Sequence, residues 1–326
     1  MLAEKITDQS EWDALVASHD GHPLQLWGWG SVKSTNGWRA TRIAVKDESG
    51  DVRGGAQVLE KPIPLIGKTL AYVPRGPWCA ESDRAAILES LRDYVQTHFA
   101  AISLTIEPDW ETRTGLEDWE HSSGHILIGD TLRLDLTKSI DDLLSVIPSK
   151  RRYDIRTSTK KLTSLRRLTD PDELDAIIEL YHDTAARAGF GVHNDAYYRT
   201  IHEQLADGSV ILVAYEDTTP VAFTWYAVTP YIAFELYSGI SERGQRLRAN
   251  YGLRWYGIEY FHHQNVKIYD FNGLLNDGIS TFKRSFADHE NKLVGTYVYQ
   301  LSPWHTIWTV LEPLAKHVAR LVAKVR

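Results

Sequence analysis

The chain has one cysteine and one methionine in 326 residues. A single thiol, Cys79, excludes an intramolecular disulfide and a cysteine-based metal site, and it fits a reducing compartment. No run of about eighteen apolar residues occurs, so no membrane-spanning helix is expected. The first residues, MLAEKITDQSEWDAL, have no basic start and no apolar core. No signal peptide is expected from them, and the cytoplasm is the expected location. The thirteen histidines form no HxH or HExxH pattern, which argues against a catalytic metal. A G-x-S-x-G nucleophile turn and a Walker loop are both missing, which removes serine-hydrolase chemistry and direct use of ATP. Positive charge is in deficit too. With 36 Lys and Arg against 43 Asp and Glu the net charge is −7, so any nucleic-acid contact must come from a local patch.

Aromatic residues are plentiful, with 11 Trp and 16 Tyr, enough to supply both a core and a cleft for a large ligand. The length suits two domains of ordinary size. Helical spacing or capping marks residues 11–17 (with Ser10 as the candidate cap), 83–99, 141–147, 149–161, 172–186, 195–205 and 245–263. Strands are expected at 38–45, 54–60, 68–73, 101–106, 131–136, 164–168, 210–215, 221–228, 231–238, 267–271 and 293–299. Both halves run helices, strands, a long helix and returning strands. That repeated order suits an acyltransferase fold present twice.

Four segments carry the chemistry. Residues 271–299 (FNGLLNDGISTFKRSFADHENKLVGTYVY) place Lys283 between Phe282 and Phe286 on a short expected helix before a strand. A lysine held so can stabilise an oxyanion without acting as a nucleophile. The bland reading is a solvated lysine beside two core aromatics. Residues 25–33 (QLWGWGSVK) end in Lys33, residues 72–77 read YVPRGP, and residues 150–161 read KRRYDIRTSTKK. In this last segment Lys150, Arg151, Arg152, Arg156, Lys160 and Lys161 are accompanied by one acid, Asp154. Such a run is either a solvated face or a patch for RNA phosphates. Asp109, in EPDW, reads as a helix cap or as a carboxylate assisting an amine.

These four segments, in this order, resemble the FemABX family, the tRNA-dependent aminoacyltransferases that build peptidoglycan side branches. The resemblance implies an α+β fold with two GNAT-like (acyl-CoA N-acyltransferase type) domains. The long coiled-coil arm of many members is absent. The expected domains are residues 1–138, completed by a C-terminal helix 301–326, and residues 139–300. An acetyl-CoA enzyme of this fold needs small residues in a phosphate loop of the form Q/R-x-x-G-x-G/A. Here the corresponding residues are Gln245 to Asn250, with Arg248 and Asn250 in place of the small ones. An acyl donor other than CoA is implied.

By the same resemblance, Phe282 and Lys283 belong to the ester and acceptor site, with Asp109 assisting. Lys33 contacts the diphosphate of the muramyl peptide, and Tyr72 and Arg75 line its cleft. Arg187, Tyr198 and Tyr237 bind the peptide or a phosphate. The 150–161 segment receives tRNA. No cofactor or metal is implied; aminoacyl-tRNA is the co-substrate. The acceptor is UDP-MurNAc-pentapeptide or lipid II, and the protein is expected to be a monomer. The amphipathic C-terminal helix, with Trp304 and Trp308 on one side and Lys316, Arg320 and Lys324 on others, is expected to pack back on the first domain. One face of it is suited to touch the inner membrane surface. Two other classes remain open: a CoA-dependent N-acyltransferase, and a non-catalytic tRNA- or membrane-binding protein.

Overall fold

The computed structural model describes residues 1–275 and 278–310. The first half runs β1 (Leu2–Ile6), α1 (Gln9–Ser18), α2 (Trp27–Ser34), β2 (Arg39–Lys46), β3 (Val52–Ile63), β4 (Lys68–Pro74), β5 (Trp78–Cys79), α3 (Arg84–His98), β6 (Ala101–Glu107), β7 (Glu120–Ser122), β8 (Asp130–Thr131) and β9 (Arg133–Asp135). Then come α4 (Ile140–Ser145) and α5 (Ser149–Lys161). The second half runs β10 (Ser164–Arg167), α6 (Leu174–Ala188), α7 (Asp195–Leu205), β11 (Ser209–Glu216), β12 (Thr219–Val228), β13 (Ile232–Ile240), α8 (Glu242–Leu247), α9 (Ala249–His263) and β14 (Ile268–Asp270). It closes with α10 (Gly278–Arg284), β15 (Asn291–Lys292) and β16 (Thr296–Gln300).

Each half builds its sheet by the same steps. A strand and two helices come first, then an antiparallel meander, a crossover helix and one parallel strand. In the first sheet β1-β2-β3-β4 are antiparallel neighbours and β4 pairs in parallel with β6 across α3. In the second, β10-β11-β12-β13 are antiparallel and β13 pairs in parallel with β14 across α8 and α9. A parallel pair needs such a crossover because the chain must return to the same end of the sheet. Helices cover the sheets, and buried apolar residues of α3 and of α9 fill the two cores.

The two halves exchange a strand, which departs from the boundary read near residue 139. β9 pairs with β14 in the second sheet, and β16 pairs with β6 in the first. Apolar alternation is a local signal and does not say which sheet a strand joins. The domains also meet at α2 and α7, the equivalent helices of the two halves. A Cβ on Gly28 would stand 2.0 Å from the Gln204 carbonyl oxygen, so glycine is what permits this approach.

Smaller differences have local causes. The cap of α1 is Asp8, whose carboxylate accepts from the Glu11 amide at 2.8 Å; Ser10 lies in the first turn and donates to Asp8. The single helix expected over 245–263 is broken at Arg248, which adopts a left-handed conformation with φ 58°. Among the described residues no coiled-coil insertion interrupts the second domain. The chain is helical again at residues 304–310, with Trp304, Ile307 and Val310 exposed. The rest of the expected C-terminal helix lies outside the described residues.

Candidate active site

The β12–β13 ladder changes register between Trp225↔Tyr237 and Tyr226↔Glu235. The extra residue is Leu236, and such a bulge re-aims side chains. Glu235, Leu236 and Tyr237 consequently all reach one cavity of about 390 Å³. Its other walls come from α6, the start of α9, and α10 with its Phe282 and Lys283. Phe286, just past α10, is buried in the core, with its ring centre 5.2 Å from that of Phe282.

Lys283 is 8% exposed. Its ammonium donates to the carbonyl oxygens of Asn272 at 2.6 Å and Gly273 at 3.2 Å. Below it, Arg254 is buried on α9 and pairs with Glu235 at 2.8 Å. A second guanidinium nitrogen of Arg254 donates to the Thr224 hydroxyl at 2.9 Å. Burial pushes the Glu235 carboxyl up, and the positive charges of Arg254 and Lys283 pull it partly back. A positive charge and a carboxylate in a shallowly solvated cavity interact more strongly than in water.

Lys33 ends α2 and crosses to the second domain. Its Nζ donates to the Tyr197 hydroxyl at 2.9 Å and sits 4.4 Å from the Trp29 ring centre. Burial lowers its pKa to about 8. Tyr197 also lies near enough to Tyr237, which lines the Lys283 cavity, to influence its phenol. Lys33 and Tyr237, far apart in the chain, thus share Tyr197 as a neighbour. Of the tyrosine pair, the residue that meets Lys33 is Tyr197. Tyr198, the one singled out from the sequence, is buried and accepts from the His193 amide at 2.9 Å.

The remaining expected residues fall elsewhere. Tyr72 is buried and donates to Glu107 at 2.5 Å; burial and the Glu107 charge push its phenol well above the usual range. Glu107 further accepts from the Ile126 and Leu127 amides and from Thr296. Arg75 is 2% exposed, has φ 48°, and donates to the Ile128 carbonyl at 2.7 Å. These two brace a loop and do not line the Lys283 cavity. Arg187 donates to the Ile240 carbonyl beside the cavity.

Asp109 is not brought to Lys283. It pairs with Arg133 in a separate cavity of about 700 Å³ and caps no helix. Burial raises its carboxyl, while Arg133 and Arg75 lower it. Arg133 also binds Asp270 at 2.8 Å, and Asp270 accepts from the Asn272 amide at 2.7 Å. Because the Asn272 carbonyl holds Lys283, Asp109 reaches the lysine only through this chain of bonds. The residues lining the Lys283 cavity all belong to the second domain.

In α5, two of the six basic residues have structural partners. Arg151 binds Asp154 and Tyr251, each at 2.9 Å, and Arg152 donates to the Ser145 carbonyl at 3.1 Å. Lys150, Arg156, Lys160 and Lys161 stand exposed. A further cavity of about 450 Å³ is lined by Lys150, Arg151, Arg248 and Asn250, and it shares Ile240 and Asn250 with the Lys283 cavity. Arg248 pairs with Asp154 where an acetyl-CoA loop would need a small residue. The two cavities therefore adjoin, and the second is lined by Lys150 and by the Asp154-paired Arg151 and Arg248.

Glu235, Arg254 and Tyr197 were not picked out from the sequence. One signal was available: Glu235 is a lone acid in an apolar strand, and charged residues are almost never buried unless paired.

A family model, the FemAB family, matches residues 7–133, 120–219 and 214–311. The chain belongs to the FemAB family. It is 30% identical over 239 residues to the lipid II:glycine glycyltransferase of Staphylococcus aureus, a match covering 67% of this chain and 56% of that protein. This FemAB chain thus spans little more than half the length of the curated relatives it matches. A crystal structure of FemX superposes with a TM-score of 0.86 at 22% identity, covering 96% of this chain and 100% of that one. A tandem GNAT protein from the clavulanic acid biosynthesis pathway superposes at 0.52 with 13% identity, covering 92% and 98%. The fold is α+β with two GNAT-like domains.

Proposed function

We propose that this FemAB protein transfers an aminoacyl group from an aminoacyl-tRNA to the stem-peptide amine of a peptidoglycan precursor. The observation that carries the reading is Lys283, held at the wall of a cavity that adjoins a second, cationic one. Family membership and the glycyltransferase name of the Staphylococcus aureus relative support it. The neutral acceptor amine attacks the ester carbonyl carbon. A C–N bond forms, the C–O bond to the ribose breaks, and the proton lost by the amine ends on the ribose oxygen. Lys283 faces the negative charge that develops on the carbonyl oxygen. Phe282 shields it on one side.

The RNA 3′ end enters past Lys150 and Arg248, with the exposed face of α5 on its phosphates. Lys33 takes a phosphate of the acceptor, which is either UDP-MurNAc-pentapeptide or lipid II. Asp109 positions Lys283 through Arg133 and Asp270. Aminolysis of an ester needs no further cofactor. The protein works as a monomer at the cytoplasmic face of the membrane, touching it through the exposed Trp304, Ile307 and Val310. Among the described residues no helix is long and apolar enough to cross a membrane.

The test is incubation of the purified protein with charged tRNAs and each precursor, read by mass spectrometry. A gain of one amino-acid residue on the precursor is expected. No gain with any charged tRNA on either precursor, or thermal stabilisation by acetyl-CoA alone, overturns the reading.

A further inference from the structure

Glu235 carries more than its ion pair with Arg254. Arg254 engages Oε1, and Oε2 makes no hydrogen bond among the described residues. Ser238 is near enough to influence the carboxyl without a bond of normal geometry. The residue is 4% exposed and lines the same cavity as Lys283. A buried carboxylate oxygen without a partner is costly, and its persistence calls for a ligand that supplies donors. Arg254 spends one terminal nitrogen on Oε1 and the other on the Thr224 hydroxyl, and its Nε makes no hydrogen bond among the described residues.

We propose that Glu235 Oε2 is the anchor for the α-ammonium of the donor's aminoacyl group, a role that rests on the transfer reading above. Two arguments favour the donor over the acceptor. First, the acceptor amine must arrive neutral in order to attack, and a carboxylate beside it would hold it protonated. The donor's own amine must stay out of the reaction. An α-amino group titrates at about 7.7–8.0, so at neutral pH a share of it is nucleophilic. A neighbouring carboxylate keeps it as ammonium and prevents one donor from attacking another. Second, a cavity of about 390 Å³ accommodates a single aminoacyl group far better than a stem peptide. With the ammonium on Glu235, the ester carbonyl carbon two bonds away is turned toward Lys283. The site then selects esters of free amino acids over those whose α-nitrogen is acylated or replaced by oxygen.

The experiment compares one tRNA charged with an amino acid against the same tRNA charged with the matching α-hydroxy acid: glycyl against glycolyl, alanyl against lactyl. The ratio of kcat/KM for the two donors is taken within each protein preparation, so a partly unfolded sample cancels. Wild type should prefer the amino ester by about 10- to 100-fold, the worth of one charged hydrogen bond. Glu235→Gln should reduce the ratio to within about threefold of unity. Glu235→Gln combined with Arg254→Met, which leaves no unpaired buried charge, should do the same. Equal use of both donors by wild type, or a preference kept in either variant, overturns the assignment and leaves the transfer reading standing. Wild type that uses neither donor overturns both.

Discussion

Lys33 Nζ and the Tyr197 hydroxyl meet at 2.9 Å across the junction of the two domains. Burial lowers this lysine from 10.5 to about 8. Between those values the unfolded chain binds more protons than the native one, so the contribution of Lys33 to stability rises with pH through that window. Below pH 8 both states are charged and the burial penalty is present in full. Denaturant titrations of wild type and Lys33→Met from pH 7 to 10.5 should therefore show wild type gaining on the variant above about pH 8. A difference that is flat with pH would show that Lys33 keeps an ordinary pKa.

Lys283→Met removes the ammonium and keeps most of the aliphatic stem. Loss of an oxyanion-stabilising donor lowers kcat by about 10²–10³. KM for both substrates should change little, because the interaction develops in the transition state. Steady-state kinetics separate the two constants, and a rise in KM alone would assign Lys283 to binding.

Glu107 ties β6 to β4, to the 126–127 loop and to β16 through Tyr72, two amides and Thr296. Glu107→Ala orphans buried donors on three segments and should cost about 3 kcal/mol or more. Tyr72→Phe, which removes one bond of the set, should cost about 1 kcal/mol. Urea denaturation measures both.

Gly28→Ala would place a methyl against the Gln204 carbonyl. Backbone cannot yield as a side chain can, so α2 and α7 must separate, at about 1–3 kcal/mol. Since α2 also carries Lys33, the KM for the acceptor should rise while the donor ratio stays unchanged.

The four exposed basic residues of α5 are predicted to act on phosphate. Replacing Lys150, Arg156, Lys160 and Lys161 by Ala should weaken tRNA binding and flatten the plot of log Kd against log salt by about 0.7–0.9 per lost contact. Arg151→Ala should instead lower the melting temperature, because Arg151 holds Asp154 and Tyr251. Filter binding over a salt series and thermal melting distinguish the two.

The helices and most strands were legible because apolar spacing is written locally. α3, α6 and α7 fall within a residue or two of where that spacing predicts them, and α10 lies where Lys283 and Phe282 were expected to sit together. The break at Arg248 was not legible. Neither glycine nor proline marks it, and an arginine enters a left-handed conformation only when tertiary contacts, here its pair with Asp154, repay the strain.

What the sequence alone determined is the class of molecule: a two-domain α+β chain with one cysteine, no metal pattern, a lysine flanked by aromatics and a single basic helix. Such features depend on residue type and on neighbours a few positions away. Tertiary structure decided the rest. It exchanged β9 and β16 between the sheets, sent Asp109 into a cavity of its own, chose Tyr197 over Tyr198 and set Glu235 opposite Lys283. Each of those outcomes joins residues far apart in the chain, through packing and register that no short window of sequence encodes.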